Sequence, residues 1–339
     1  MNTTDFQLSI AGESPIRSAP GETLLKSALR QGVKLPHLCM AGECGSCRCQ
    51  LVQGQVKLRK DISQHVDADA LRQGFLLACQ AEPLSDVQLA VAARSAIGAT
   101  LRSAVPLNRS ILRVVLQLDE PLAYRAGQYA QLTLAGVADE PRCYSFAAAP
   151  QATPQREVEF HIRRVAGGAF TEWLFDGDRR GTRLQLLGPL GDFGARDDGR
   201  PLVCVAGGSG LAPIKGMLEQ LAQQGGAPDA TLFIGARNQQ ELYGQDFLAA
   251  LQAKWPSLGT LRVVPVLSAE PADSGWQGLR GYCADYIERF CAPQACSFYL
   301  CGPPAMIEAT AAHVAAQVDQ NHIHYDLFLD RSNLKPEQP

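Results

Sequence analysis

The chain has 339 residues, 46% of them hydrophobic and 19% charged, which is long for one core and ordinary for a globular protein. A net charge of −3 gives no pull toward nucleic acid or an anionic membrane, and no apolar run reaches the length of a spanning helix. The opening Met1-Asn2-Thr3-Thr4-Asp5-Phe6 has neither the basic region nor the apolar core of a signal peptide, so a cytoplasmic protein is expected.

In chain order, Phe6 to Ile10 alternates like a strand, and Ile16-Arg17-Ser18 reads as its hairpin partner. Pro20-Gly21-Glu22-Thr23 opens a short helix through Leu24, Leu25, Ala28 and Leu29 that closes at Gly32. A loop rich in Cys and Gly follows, Asp86 to Val91 reads as a closing strand, and Ala92 to Ala99 as a linker. From about Thr100 to Arg196 short strands recur between Pro and Gly: Ser110 to Leu118, Tyr129 to Leu134, Arg142 to Ala147, Val158 to Val165 and Arg183 to Leu187. With one helix near Ala169 to Phe175, that pattern predicts a small antiparallel barrel. Beyond Asp197, buried-type strands (Leu202 to Ala206, Ala230 to Ile234, Ser297 to Leu300) alternate with helical stretches, the mark of a parallel α/β sheet.

Four of the eleven cysteines crowd into one stretch, Cys39, Cys44, Cys47 and Cys49. Without an export signal, metal binding explains them better than disulfides. The spacing Cys39-x4-Cys44-x2-Cys47, with Cys79 farther on, is that of a plant-type [2Fe–2S] site, and it does not supply the second close pair of a zinc ribbon. Gly42 and Gly45 let the backbone turn tightly around such a cluster. Cys49 reads as packing on a strand leaving the loop, and Cys143, Cys204, Cys283, Cys291 and Cys296 as core fillers. Residues 1–94 therefore resemble a plant-type ferredoxin domain, β-grasp-like in fold. Their nearly balanced charge departs from the acidity of free ferredoxins, as suits a domain tethered to its electron source.

In the second segment, Gly127-Gln128-Tyr129, Arg142-Cys143-Tyr144-Ser145, His161-Ile162-Arg163-Arg164 and Gly168-Ala169-Phe170-Thr171 occur in that order. Together they resemble the FAD-binding barrel of the ferredoxin–NADP reductase superfamily, over residues 100–196. The resemblance implies that Arg142 pairs with the FAD pyrophosphate, its forked cation suiting that anion. It implies that Tyr144 packs on the isoalloxazine, that Ser145 bonds near the reactive ring nitrogen, and that His161 and Arg163 flank the flavin's tail. Gly168, Ala169 and Thr171 would mark a helix start presenting backbone amides to the pyrophosphate.

In residues 197–332, strand Val203 to Ala206 runs into Gly207-Gly208-Ser209-Gly210, and a later strand runs into Cys301-Gly302-Pro303-Pro304. This pair resembles the nicotinamide-binding α/β domain of the same superfamily. It implies that glycines receive the dinucleotide phosphates and that Cys301 faces the nicotinamide near the hydride path. Asp326-Leu327-Phe328 stands in place of a Glu-x-aromatic string, so Phe328 would stack on the flavin where nicotinamide enters. Arg237 and Glu241 follow a strand end that should meet the adenosine ribose: Arg237 would welcome a 2′-phosphate and Glu241 oppose it, which favours NADH with tolerance of NADPH.

The order of the three domains is similar to that of the reductase components of bacterial Rieske-type aromatic-ring dioxygenases. Within that group, Glu159 to Arg163 and Gly188 to Gly191 resemble the naphthalene-type reductases. The implied function is transfer of electrons from NAD(P)H through FAD and a [2Fe–2S] cluster to an oxygenase, directly or through a separate ferredoxin. Two alternatives share the motifs: a reductase for a di-iron monooxygenase or desaturase, and a redox-sensing module.

Overall fold

The computed structural model describes residues 5–328 except 34, 38, 39, 41, 43, 44, 63–65, 67, 92–94, 226, 257 and 258. These residues fall into two compact units, one from 5–91 together with 190–192, the other from 95–189 and 193–328.

The first unit contains β1 (Phe6–Ile10), β2 (Ile16–Ser18), α1 (Leu24–Arg30), β3 (Arg48–Gln53), β4 (Val56–Leu58), α2 (Ala68–Arg72), β5 (Phe75–Leu77), β6 (Ala81–Pro83) and β7 (Val87–Ala90). Its main sheet runs β2-β1-β7-β3-β5, with β1 and β7 parallel. Thr23 caps α1 through a bond from the Lys26 amide, and the helix buries Leu24, Leu25 and Ala28. The expected hairpin and closing strand are both present.

The second unit begins with the barrel strands β8 (Ile97–Asn108), β9 (Ile111–Leu122), β10 (Tyr129–Leu134), β11 (Ala138–Ser145) and β12 (Gln155–Arg163), then α3 (Ala169–Phe175) and β13 (Arg183–Leu190). The sheet order is β11-β10-β13-β8-β9-β12, and a bridge between Phe146 and Phe160 brings its two ends together. Strand β8 begins at Ile97, inside the stretch from Ala92 to Ala99 expected as linker. Register shifts after Leu101 and Pro106 break its alternation, so its twelve residues carry no clean period of two.

The unit continues with β14 (Leu202–Gly207), α4 (Leu211–Gln224), β15 (Ala230–Ala236), α5 (Gln245–Lys254), β16 (Leu261–Leu267), β17 (Leu279–Arg280), α6 (Ile287–Phe290), β18 (Ser297–Gly302), α7 (Pro304–Val314) and β19 (Ile323–Leu327). These strands form one parallel sheet, β17-β16-β15-β14-β18-β19, whose order reverses between β14 and β18. In open α/β sheets that crevice, beyond the strands' carboxyl ends, is where ligands sit. No helix among the described residues is long and apolar enough to cross a membrane.

Candidate functional site

In the first unit, β3 and β5 pair with Arg48 opposite Leu77, and the Ala78 amide donates to the Cys47 carbonyl at 3.0 Å. This ladder carries Cys47 and Cys79 to one end, both buried. Gly42 and Gly45 have φ of +78° and +68°, a conformation that glycine adopts without penalty. Cys39 and Cys44 lie outside the described residues, so only half of the expected ligand set is described. What is described fits a thiolate-held cluster: two adjacent soft ligands, buried, beside a glycine-turned loop. Cys49 lies on β3, and burial pushes its thiol up to about 12, which leaves it protonated packing.

In the second unit, β10 and β11 set Leu132 opposite Arg142, Ala130 opposite Tyr144 and Tyr129 opposite Ser145. Gly127 allows this strand to start: a Cβ there would come within 2.4 Å of the Phe193 carbonyl oxygen. Arg142 donates from one nitrogen, Nη1, to the carbonyls of Glu140 and Pro141, each at 3.1 Å. Tyr144 tilts against Phe170, with ring centres 5.7 Å apart. Helix α3 follows Gly168, and no side chain caps it. The Thr171 hydroxyl is spent inside this turn, accepting from the Val165 amide and lying within bonding distance of the Val165 and Gly168 carbonyls. Ala169 therefore opens the helix with uncapped amides beside it, as a pyrophosphate contact requires.

The two glycine loops meet at the sheet's reversal point. A Cβ on Gly210 would lie 2.1 Å from the Cys301 carbonyl oxygen. One on Gly302 (φ +147°) would lie 2.9 Å from the Gly207 oxygen, and one on Gly207 would lie 2.8 Å from Pro303 Cδ. Only glycine fits there, and the close backbone suits a dinucleotide. Ser209 lies buried in the loop, and Gly208 has φ +55°.

Several expected residues converge. The Ser145 hydroxyl donates to Asp326 Oδ2 at 3.4 Å, Asp326 pairs in register with Cys301, and the Phe328 amide donates to the Gly302 carbonyl at 3.0 Å. Asp326, though shorter than a glutamate, thus reaches the end of β11. Cys301 is fully buried, and burial with the nearby Asp326 charge holds its thiol well above the ordinary range.

His161, expected beside the flavin's tail, packs against Glu159 and Tyr243. It is 3% exposed, with Nε2 3.2 Å from Glu159 and Nδ1 3.3 Å from the Tyr243 hydroxyl, which in turn donates to the Gly208 carbonyl at 3.2 Å. Beside His161, Lys215 of α4 donates to the Ala147 carbonyl at 2.8 Å and pairs with Glu219 at 2.8 Å and Glu159 at 3.4 Å, while Arg113 pairs with Glu159 at 2.6 Å. Burial alone would raise Glu159, but the His161 bond and the Lys215 and Arg113 charges bring it down to about 2. Burial lowers His161 below its usual value. Lys215 and Tyr243 are additions to the expected residues; a single lysine in the apolar start of α4 is the sequence signal for the first.

Just after β15, Arg237 and Glu241, expected to meet the adenosine ribose, are bound to each other, with Arg237 Nε donating at 2.8 Å. The barrel's Arg109 reaches the same carboxylate at 3.8 Å. The two expected determinants are therefore coupled. Arg163 lies beside the glycine loop, where its Nη1 would be 3.5 Å from a Cβ on Gly208.

Three family models match the chain: a 2Fe-2S iron-sulfur cluster binding domain over residues 10–84, an oxidoreductase FAD-binding domain over 99–194 and an oxidoreductase NAD-binding domain over 204–312. The chain is 36% identical to the xylene/toluene monooxygenase electron transfer component of Pseudomonas putida, over 92% of this chain and 90% of that one. It is also 36% identical to the reductase subunit of an aromatic O-demethylase from Amycolatopsis, over 96% and 99%. Among solved structures it resembles the ferredoxin reductase in carbazole 1,9a-dioxygenase, with TM-score 0.67 and 30% identity over 96% and 99% of the two chains. The chain belongs to the family of ferredoxin-fused flavoprotein reductases of oxygenase systems, and it moves electrons from NAD(P)H through FAD to a [2Fe–2S] cluster.

Proposed function

We propose that this reductase delivers its electrons to the terminal oxygenase of an aromatic-ring-hydroxylating system, with a Rieske-type oxygenase or its intermediary ferredoxin as acceptor. The likeness to the carbazole dioxygenase reductase supports this reading. A monooxygenase acceptor, of the di-iron type among the alternatives above, is the second reading, and the identity to the xylene/toluene monooxygenase component favours it. The observation that carries the common part is the convergence of Ser145, Asp326, Cys301, Gly302 and Phe328 where flavin strand and nicotinamide sheet meet.

In this reading Cys39, Cys44, Cys47 and Cys79 hold the cluster. Arg142, Tyr144, Ser145 and the amides after Gly168 hold FAD, which supplies the exchange between a hydride pair and single electrons. Gly207 to Gly210, Gly302 and Pro303 admit the dinucleotide, and Arg163, expected at the flavin's tail, is proposed instead to meet these phosphates because it lies beside Gly208. Asp326 orients the Ser145 hydroxyl, and Phe328, tied to Gly302, covers the nicotinamide's entry. Arg237 is neutralised by Glu241, so NADH is the preferred donor and NADPH is tolerated.

Two measurements test the proposal. Cytochrome c reduction should give a higher kcat/KM with NADH than with NADPH, and a reversed order would overturn the cofactor assignment. Single-turnover electron transfer to a purified Rieske oxygenase or Rieske ferredoxin should outpace transfer to a di-iron hydroxylase, and the opposite ranking establishes the second reading.

A further inference from the structure

The residue after Cys79 has a place that the electron-transfer reading does not use. Gln80 is 8% exposed. Its backbone is fixed at both ends: the amide donates to the Leu77 carbonyl at 2.9 Å, and the carbonyl accepts from the Arg59 amide at 2.8 Å. Its side chain lies against the cysteine loop, since a Cβ on Gly42 would come within 2.7 Å of Gln80 Cγ. The terminal nitrogen Nε2 is 3.7 Å from Cys79 Sγ and 3.5 Å from the Met40 carbonyl oxygen.

These partners match the group's chemistry. A carboxamide nitrogen carries two hydrogens and no lone pair to offer, and here it faces two acceptors. The reverse orientation would set the amide oxygen against a carbonyl and a thiolate, so the donor arrangement is the one that chemistry selects.

We propose that Gln80 tunes the reduction potential of the cluster, donating one hydrogen to the Cys79 thiolate and tying down the loop at Met40 with the other. The inference rests on the reading that Cys79 is a cluster ligand. Reduction adds one negative charge to the cluster and its thiolates. A fixed donor at a ligating sulfur favours that added charge and raises the potential, because hydrogen bonds to sulfur are among the terms that set it. The hydrogen bond is charge-assisted and sheltered from water, which strengthens it.

The test is spectroelectrochemical titration of the holoenzyme. Gln80→Met keeps length and burial but removes both donors. It should retain the [2Fe–2S] absorption and the FAD content while the cluster's one-electron reduction becomes about tenfold less favourable, a fall of about 59 mV. Gln80→Glu, which replaces donors with a charge, should fall at least as far. An unchanged potential in a variant with full cluster content overturns the proposal; a merely structural residue would lower cluster content and leave the potential of the remainder alone. Where both variants lose the cluster, pulsed EPR of the reduced wild-type protein, labelled with ¹⁵N at glutamine side-chain amides, decides. A resolved ¹⁵N coupling supports the proposal, and its absence overturns it. Failure of the underlying reading looks different: Cys79→Ala would then keep the full [2Fe–2S] spectrum of the wild-type protein.

Discussion

Gly210→Ala tests how tightly the nicotinamide crevice is built. Gly210 has an ordinary backbone conformation, so strain at this residue's own dihedrals is not the issue. The added Cβ would lie 2.1 Å from the Cys301 oxygen, 2.5 Å from its carbonyl carbon and 2.8 Å from the Gly302 nitrogen, all of them backbone atoms. Restoring ordinary contact means parting the loop from the end of β18 by roughly 1 Å, in a close-packed layer where such overpacking costs about 1–3 kcal/mol or more. At about 1.4 kcal/mol per tenfold, a loop displaced at that cost loses roughly ten- to a hundredfold in NADH affinity. Gly208→Ala is the control: nothing comes closer than 3.5 Å, and only its left-handed φ is penalised, by about 1–2 kcal/mol. Anaerobic stopped-flow bleaching of the flavin across NADH concentrations measures both variants, with FAD content checked first. Wild-type NADH binding in Gly210→Ala would refute the reasoning.

Arg142→Ala should release FAD on gel filtration, because losing a charge-assisted phosphate contact costs roughly 1.5–3 kcal/mol, about tenfold to over a hundredfold in affinity; full occupancy at low micromolar protein would remove Arg142 from the site. For acid stability the sign is set by Glu159 and His161, both of which bind protons less readily folded than unfolded. Their contribution is complete above pH 6.5. It declines first as unfolded His161 takes up a proton, then between about pH 4.5 and 2 as Glu159 does. The thermal midpoint of the flavin–nicotinamide unit should therefore fall from pH 7 to pH 5.5, and less so in His161→Gln; identical slopes would show that His161 titrates normally.

Much of this fold was legible because its signals are local. Glycines stand where two backbones touch, as at Gly210 and Gly302, and apolar and polar residues alternate from Ala130 to Leu134 and from Val158 to Arg163. The cysteine spacing is likewise a property of one loop. What was not legible depends on tertiary cover. Glu159 and His161 lie on the outward face of β12, and period two cannot say whether flavin, water or another element covers that face; α4 and Tyr243 do. Arg237 and Glu241 stand at helical spacing on a strand-end loop, and only the fold reveals that they bind each other. Strand β8 went unread because two irregularities in its pairing erased its period.

The burial of Cys301 bears on how such an enzyme survives its own working conditions. Reductases that serve oxygenases turn over in air, among the reduction products of oxygen. Peroxide attacks thiolates, and it must reach them. The thiol expected nearest the hydride path is fully enclosed and held in its protonated form by burial and by the charge of Asp326. Enclosure is the larger of the two influences, and the Asp326 carboxylate that reaches the Ser145 hydroxyl adds to it, so both act against ionisation of this sulfur.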